Sequence, residues 1–76
     1  MLRSSIKGTR VEIIVNGQTR QVAEGITVAR LLEDLNLAGR YVAVEVNLEL
    51  VPRLKQAEHR LASGDRLEIV TLVGGG

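Results

Sequence analysis

Seventy-six residues with ten Lys and Arg against nine Asp and Glu, a formal charge of +1, hold one domain and leave little room for a catalytic cleft. The chain is 45% hydrophobic yet has no Phe, no Trp and a single Tyr, so its core must be aliphatic and nucleic-acid bases find almost nothing to stack on; the balanced charge also lacks the basic excess that phosphate recognition needs. Cysteine is absent, which excludes disulfides, zinc-thiolate sites and thiol nucleophiles, so any sulfur the protein handles cannot ride on a side chain.

Residues 1–10 carry Arg3, Lys7 and Arg10 but no apolar run follows them. Neither a signal peptide nor a membrane span is expected, no membrane partner is implied, and a cytoplasmic location follows by default. These ten residues read as a flexible N-terminal extension, with a basic docking arm as the alternative.

The spacing predicts a strand over Val11 to Val15, with Val11, Ile13 and Val15 on one face. Asn16-Gly17 tolerates positive φ at both positions and signals a tight hairpin, so a second strand returns from Gln18 to about Val22. Thr27 is placed to cap a helix, with Ile26 stapling onto Leu31. Val28, Leu31, Leu32 and Leu35 then form one apolar stripe, the signature of a helix packed on a sheet. Glu33 and Asp34 oppose the helix dipole at its C-terminal end. Asn36 to Gly39 is the stop, with Gly39 able to take a left-handed conformation.

Tyr41 to Asn47 alternates as a third strand, Val42, Val44 and Val46 inward and Ala43, Glu45 and Asn47 outward. A turn at Leu48-Glu49 leads into a short segment, Leu50 to Arg53, whose Pro52 belongs at an edge or a strand end. Leu54 to Leu61 is polar, with one helical turn expected around Lys55 to Glu58. His59, the single histidine, has no nucleophile or acid marked out beside it and reads as a surface or turn residue. Ser63-Gly64-Asp65 turns into a last strand, Arg66 to Val73.

In that strand Leu67, Ile69, Thr71 and Val73 share one parity, and Glu68, Val70 and Leu72 the other. With Leu67 and Ile69 facing the helix, Val70 and Leu72 stand on the open face of the sheet, as a partner surface would. The order of elements predicts an α+β fold of β-grasp type: one main helix across a mixed four- to five-stranded sheet, the last strand central and parallel to the first. The domain spans 11–73. Residues 74–76 are three glycines, expected as a flexible tail; they add no packing, but they can thread a narrow channel and present a carboxylate inside another protein. A frayed end is the plainer reading. No catalytic residue and no metal site can be assembled.

Over roughly Val11 to Gly76 the chain resembles the ThiS family of ubiquitin-like sulfur carriers of thiamine biosynthesis. The resemblance rests on the Asn16-Gly17 hairpin, the helix start ITVARLLEDL, the VAVEVN strand, Val51-Pro52-Arg53, the Gly64-Asp65 turn and the terminal VGGG. The chain departs at Leu48, where many members turn with Gly. The resemblance implies a carrier, not an enzyme. Gly76 would bear the cargo, Gly74 and Gly75 would clear the partners' channels, and Val70 and Leu72 would dock. It implies no bound cofactor, because ATP and magnesium would be used by a separate ubiquitin-activating-type adenylyltransferase. The further partners implied are a sulfur donor fed by a cysteine desulfurase and thiazole synthase, with the free carrier monomeric. Sister carriers serving molybdopterin synthesis or tRNA thiolation share the fold and tail, and a non-covalent β-grasp interaction module is the alternative of another class.

Overall fold

The computed structural model describes residues 9–72. Its first hairpin pairs β1 (Arg10–Val15) antiparallel with β2 (Gln18–Ala23), starting one residue before the expected strand. Asn16 and Gly17 both have positive φ, 50° and 83°, the handedness that matches the right-handed twist of paired strands.

The helix α1 (Val28–Asp34) begins as predicted: the Thr27 hydroxyl accepts a hydrogen bond from the Arg30 amide at 3.1 Å. Val28, Leu31 and Leu32 are buried and Ile26 packs against the same core. Arg30 lies 3.2 Å from Asp34 and 3.9 Å from Glu33, so the acids placed against the helix dipole have a cation one turn back. Such exposed pairs are worth a few tenths of a kcal/mol at most, about the size of the dipole cost they offset. The left-handed stop comes at Asn36 (φ 62°), three residues before Gly39, which is left-handed as well.

A second hairpin joins β3 (Val42–Val46) to a two-residue β4 (Glu49–Leu50). Its turn falls at Asn47-Leu48, one residue earlier than expected, and Leu48 sits in the left-handed region at φ 72°. Val51 then turns inward, Pro52 ends the pairing, and the expected helical turn appears as a single 3-10 turn at Arg53–Lys55, earlier in the chain.

The polar stretch that follows has a structural task its composition concealed. The carbonyls of Gln56 and His59 accept from the amides of Ala29 and Val28 at 3.0 and 2.9 Å, so this loop satisfies donors that the first helical turn leaves free. Leu61, 2% exposed, closes the core beneath it.

β5 (Arg66–Thr71) completes a five-stranded sheet of order β2-β1-β5-β3-β4. It runs parallel to β1, with Val15 opposite Leu67, and antiparallel to β3. The expected central position and parallel pairing of the last strand are both present. β5 ends at Thr71, and Val73, predicted as part of it, lies outside the described residues. One face of the sheet packs on α1 through Ile13, Val44, Leu67 and Ile69; the other is open. This is the β-grasp arrangement.

Candidate functional site: the open face at the end of β5

β5 is rich in β-branched residues, which suit a pleated surface, and its alternation is clean. Leu67 and Ile69 are buried while Glu68 and Val70 are exposed. Register with β3 fixes what stands beside them: Ala43 is opposite Val70, Val42 opposite Thr71, and the Leu72 amide donates to the Tyr41 carbonyl at 2.8 Å. Directly opposed residues share a face. Val70 (54% exposed) therefore lies by Ala43, and Leu72 (51%) by Tyr41 (69%). One step along β3, Glu45 is opposite Glu68 on one side and Leu50 on the other. The result is an apolar patch of Tyr41, Val70 and Leu72 beside two carboxylates, with exposed Leu50 on the far side of Glu45.

The strand that carries the patch is held from both sides. β1 stops at Val15, and beyond it the Asn16 side chain substitutes for the next residue of the ladder. Its Oδ1 accepts from the Ile69 amide at 2.7 Å and its Nδ2 donates to the Ile69 carbonyl at 3.0 Å. At the start of β5, Asn47 accepts from the Arg66 amide at 3.0 Å and donates to the Asp65 carboxylate at 2.9 Å.

Val70 and Leu72 thus stand where the alternation put them. Gly74, Gly75 and Gly76 lie outside the described residues. Tyr41 and Leu50 were missed. Tyr41 has the parity of Ala43, and extending the alternation back by two residues would have found it; Leu50 could be placed only once β4 was known to pair with β3. His59 is half-buried in a turn, and its amide donates to the Lys55 carbonyl. Among the described residues no three His, Asp or Glu side chains converge on a metal position, and no helix is long and apolar enough to cross a membrane. The site offers exposed apolar contact area.

Residues 13–76 match the model of the ThiS family. The sulfur carrier protein ThiS of Escherichia coli is 35% identical over 66 residues, 87% of this chain and all of that protein. A thiazole synthase of Paramagnetospirillum magneticum is 42% identical over 66 residues, and there the chain spans only 20% of the relative's length. The crystal structure of a thiamine biosynthesis protein, ThiS from Geobacter metallireducens, superposes with a TM-score of 0.75 at 35% identity, covering 87% of this chain and 100% of that one. With the fold, the central last strand and these likenesses in agreement, the chain belongs to the ThiS family, the ubiquitin-like sulfur carriers of thiamine biosynthesis, which are carriers and not enzymes.

Proposed function

We propose that this chain carries sulfur as a thiocarboxylate on the main-chain carboxyl of Gly76 and gives it up to thiazole formation. The observation that supports the reading is the central strand β5, with exposed Val70 in it and exposed Leu72 just after it, two residues before the terminal glycines in the sequence. A carboxylate is a poor electrophile, since direct attack must expel oxide. A separate ubiquitin-activating-type enzyme therefore uses ATP and magnesium to convert the Gly76 carboxylate to an acyl-adenylate. Sulfur drawn from cysteine by a desulfurase, delivered as a persulfide and brought to the sulfide level by a thiol reductant, then displaces AMP, and the protein holds sulfur without any cysteine. Gly74 and Gly75 give the tail clearance through the partners' channels.

Ordering that tail costs on the order of 1 to 2 kcal/mol per residue, so binding must come from a surface elsewhere on the domain. Val70 and Leu72, with Tyr41 beside them, are assigned to it. Thiazole synthase is the proposed acceptor, a reading supported by the relative of that name in which a stretch similar to this chain forms one fifth of the protein.

Intact mass of the full chain after incubation with an activating enzyme, ATP and a sulfur donor tests the reading. The expected product is heavier by the exchange of one oxygen for sulfur, and no gain means that no thiocarboxylate forms. A chain ending at Gly75 is expected to lose adenylation altogether; conversion equal to that of the full chain would remove the role of Gly76.

A further inference from the structure

Asn16 does two things that oppose each other. It is followed by Gly17, which has no side chain to shield its nitrogen, and the space where a Cβ would stand is open apart from the chain neighbours. Asn-Gly is for that reason the dipeptide whose main-chain nitrogen most readily reaches the asparagine side-chain carbon. The same side chain, however, is held by both its polar atoms against the main chain of Ile69, 53 residues away.

We propose that Asn16-Gly17 is a self-modification site, kept slow while the Asn16 amide is clamped to Ile69, and that its deamidation removes the β1-side support of β5 beyond Leu67 while the pairing with β3 remains. The Gly17 nitrogen loses its proton to solvent base and attacks Cγ of Asn16. The new N–Cγ bond closes a five-membered succinimide, and the Cγ–Nδ2 bond breaks, Nδ2 leaving as ammonia. Water then opens the ring at Cγ to give aspartate, or at the main-chain carbonyl to give isoaspartate. No oxidant or reductant takes part. Bringing Cγ onto the Gly17 nitrogen turns the amide away from Ile69, so both hydrogen bonds must open first. Two such bonds slow the reaction by about tenfold or more in the folded chain.

The product cannot restore the clamp. A carboxylate has no N–H to give the Ile69 carbonyl, and isoaspartate adds a methylene to the backbone of a two-residue turn. Val70 and Leu72 lie one and three residues beyond Ile69, so the segment left paired on its β3 side alone is the one that carries the exposed apolar pair. Asn47 is the internal reference: it too is left-handed, at φ 53°, and hydrogen-bonded to the start of β5, but Leu48 follows it and shields the attacking nitrogen.

The inference is independent of sulfur carriage, and so is its test. The full chain is incubated at mildly alkaline pH with and without urea, and conversion at Asn16 and Asn47 is followed by peptide mass and isoaspartate content. Conversion confined to Asn16, and at least about tenfold faster in urea, is expected. Equal rates in the two conditions, or no conversion of Asn16 in urea, overturn the proposal. Amide hydrogen exchange gives the second arm. In Asn16→Ala, which removes the acceptor of the Ile69 amide, that amide should lose protection while the Val44 amide, in the core of β3, keeps it. Unchanged protection of Ile69 in that variant shows that the side chain holds nothing, which also overturns the proposal.

Discussion

Leu48 is the residue the fold treats worst. It is 88% exposed, so it gains almost nothing from burial, and at φ 72° its Cβ stands where an L-residue is crowded, at a cost of about 1–2 kcal/mol. Glycine relieves that strain and adds some entropy to the unfolded chain, so Leu48→Gly should raise stability by about 1 kcal/mol, read as a higher urea midpoint at unchanged slope. A lower midpoint would show that the leucine packs on something. Val70 tests the opposite kind of exposure, one assigned above to the proposed docking surface. Val70→Asp places a charge in the apolar patch without touching the core, so the circular dichroism and melting curve should stay as they are while adenylation by the activating enzyme slows. Unchanged adenylation kinetics would take Val70 out of the docking surface.

Among the elements, the β3–β5 ladder carries a conflict and α1 a dependence. Glu45 and Glu68 are directly opposite on the open face, an arrangement of like charges that weakens a strand pair. Its retention beside the apolar patch makes sense when a cationic group of a partner lies over it. Glu68→Gln should therefore stabilise the free protein by a few tenths of a kcal/mol at low salt, with the gain shrinking as salt rises. It should also weaken binding to the activating enzyme or to thiazole synthase, read by calorimetric titration; binding left intact with both would exclude the cationic contact. α1 has only seven residues, too few to form a stable helix in isolation. It persists because Thr27 caps it, the 56–59 loop satisfies its first amides, and Leu31 and Leu32 lie in the core.

For the molecule as a whole, size sets the margin. A chain this short buries only about 60% of its unfolded surface, and its stability belongs at the low end of the roughly 5–15 kcal/mol of folded domains. Leu31 is fully buried at the centre of the single core, and truncating such a residue typically costs about 2–5 kcal/mol. Leu31→Ala should consume much of the margin and lower the thermal midpoint sharply; a shift of only a degree or two would mean that the core collapses around the cavity. With no Phe or Trp to fill space, that collapse is left to Val, Leu and Ile side chains of modest reach.

Local chemistry was enough to read much of this protein. Asn16-Gly17 announced a hairpin, Thr27 announced a cap, the alternation of Arg66 to Leu72 put Val70 and Leu72 on the open face, and the lack of cysteine confined any sulfur chemistry to the main chain; each depends on residues within a few positions of one another. What the tertiary structure alone decided is long-range. The placement of Tyr41 beside Leu72, and of Leu50 across from Glu45, comes from strand pairing. The service of the polar 54–61 stretch to the helix start comes from a loop folding back across some thirty residues. The two-point grip of Asn16 on Ile69 links positions 53 apart. Pattern within a strand or helix reports which way a side chain points, because backbone geometry repeats every two or 3.6 residues; it does not report which element lies opposite, because that is settled only when all the apolar faces are buried at once.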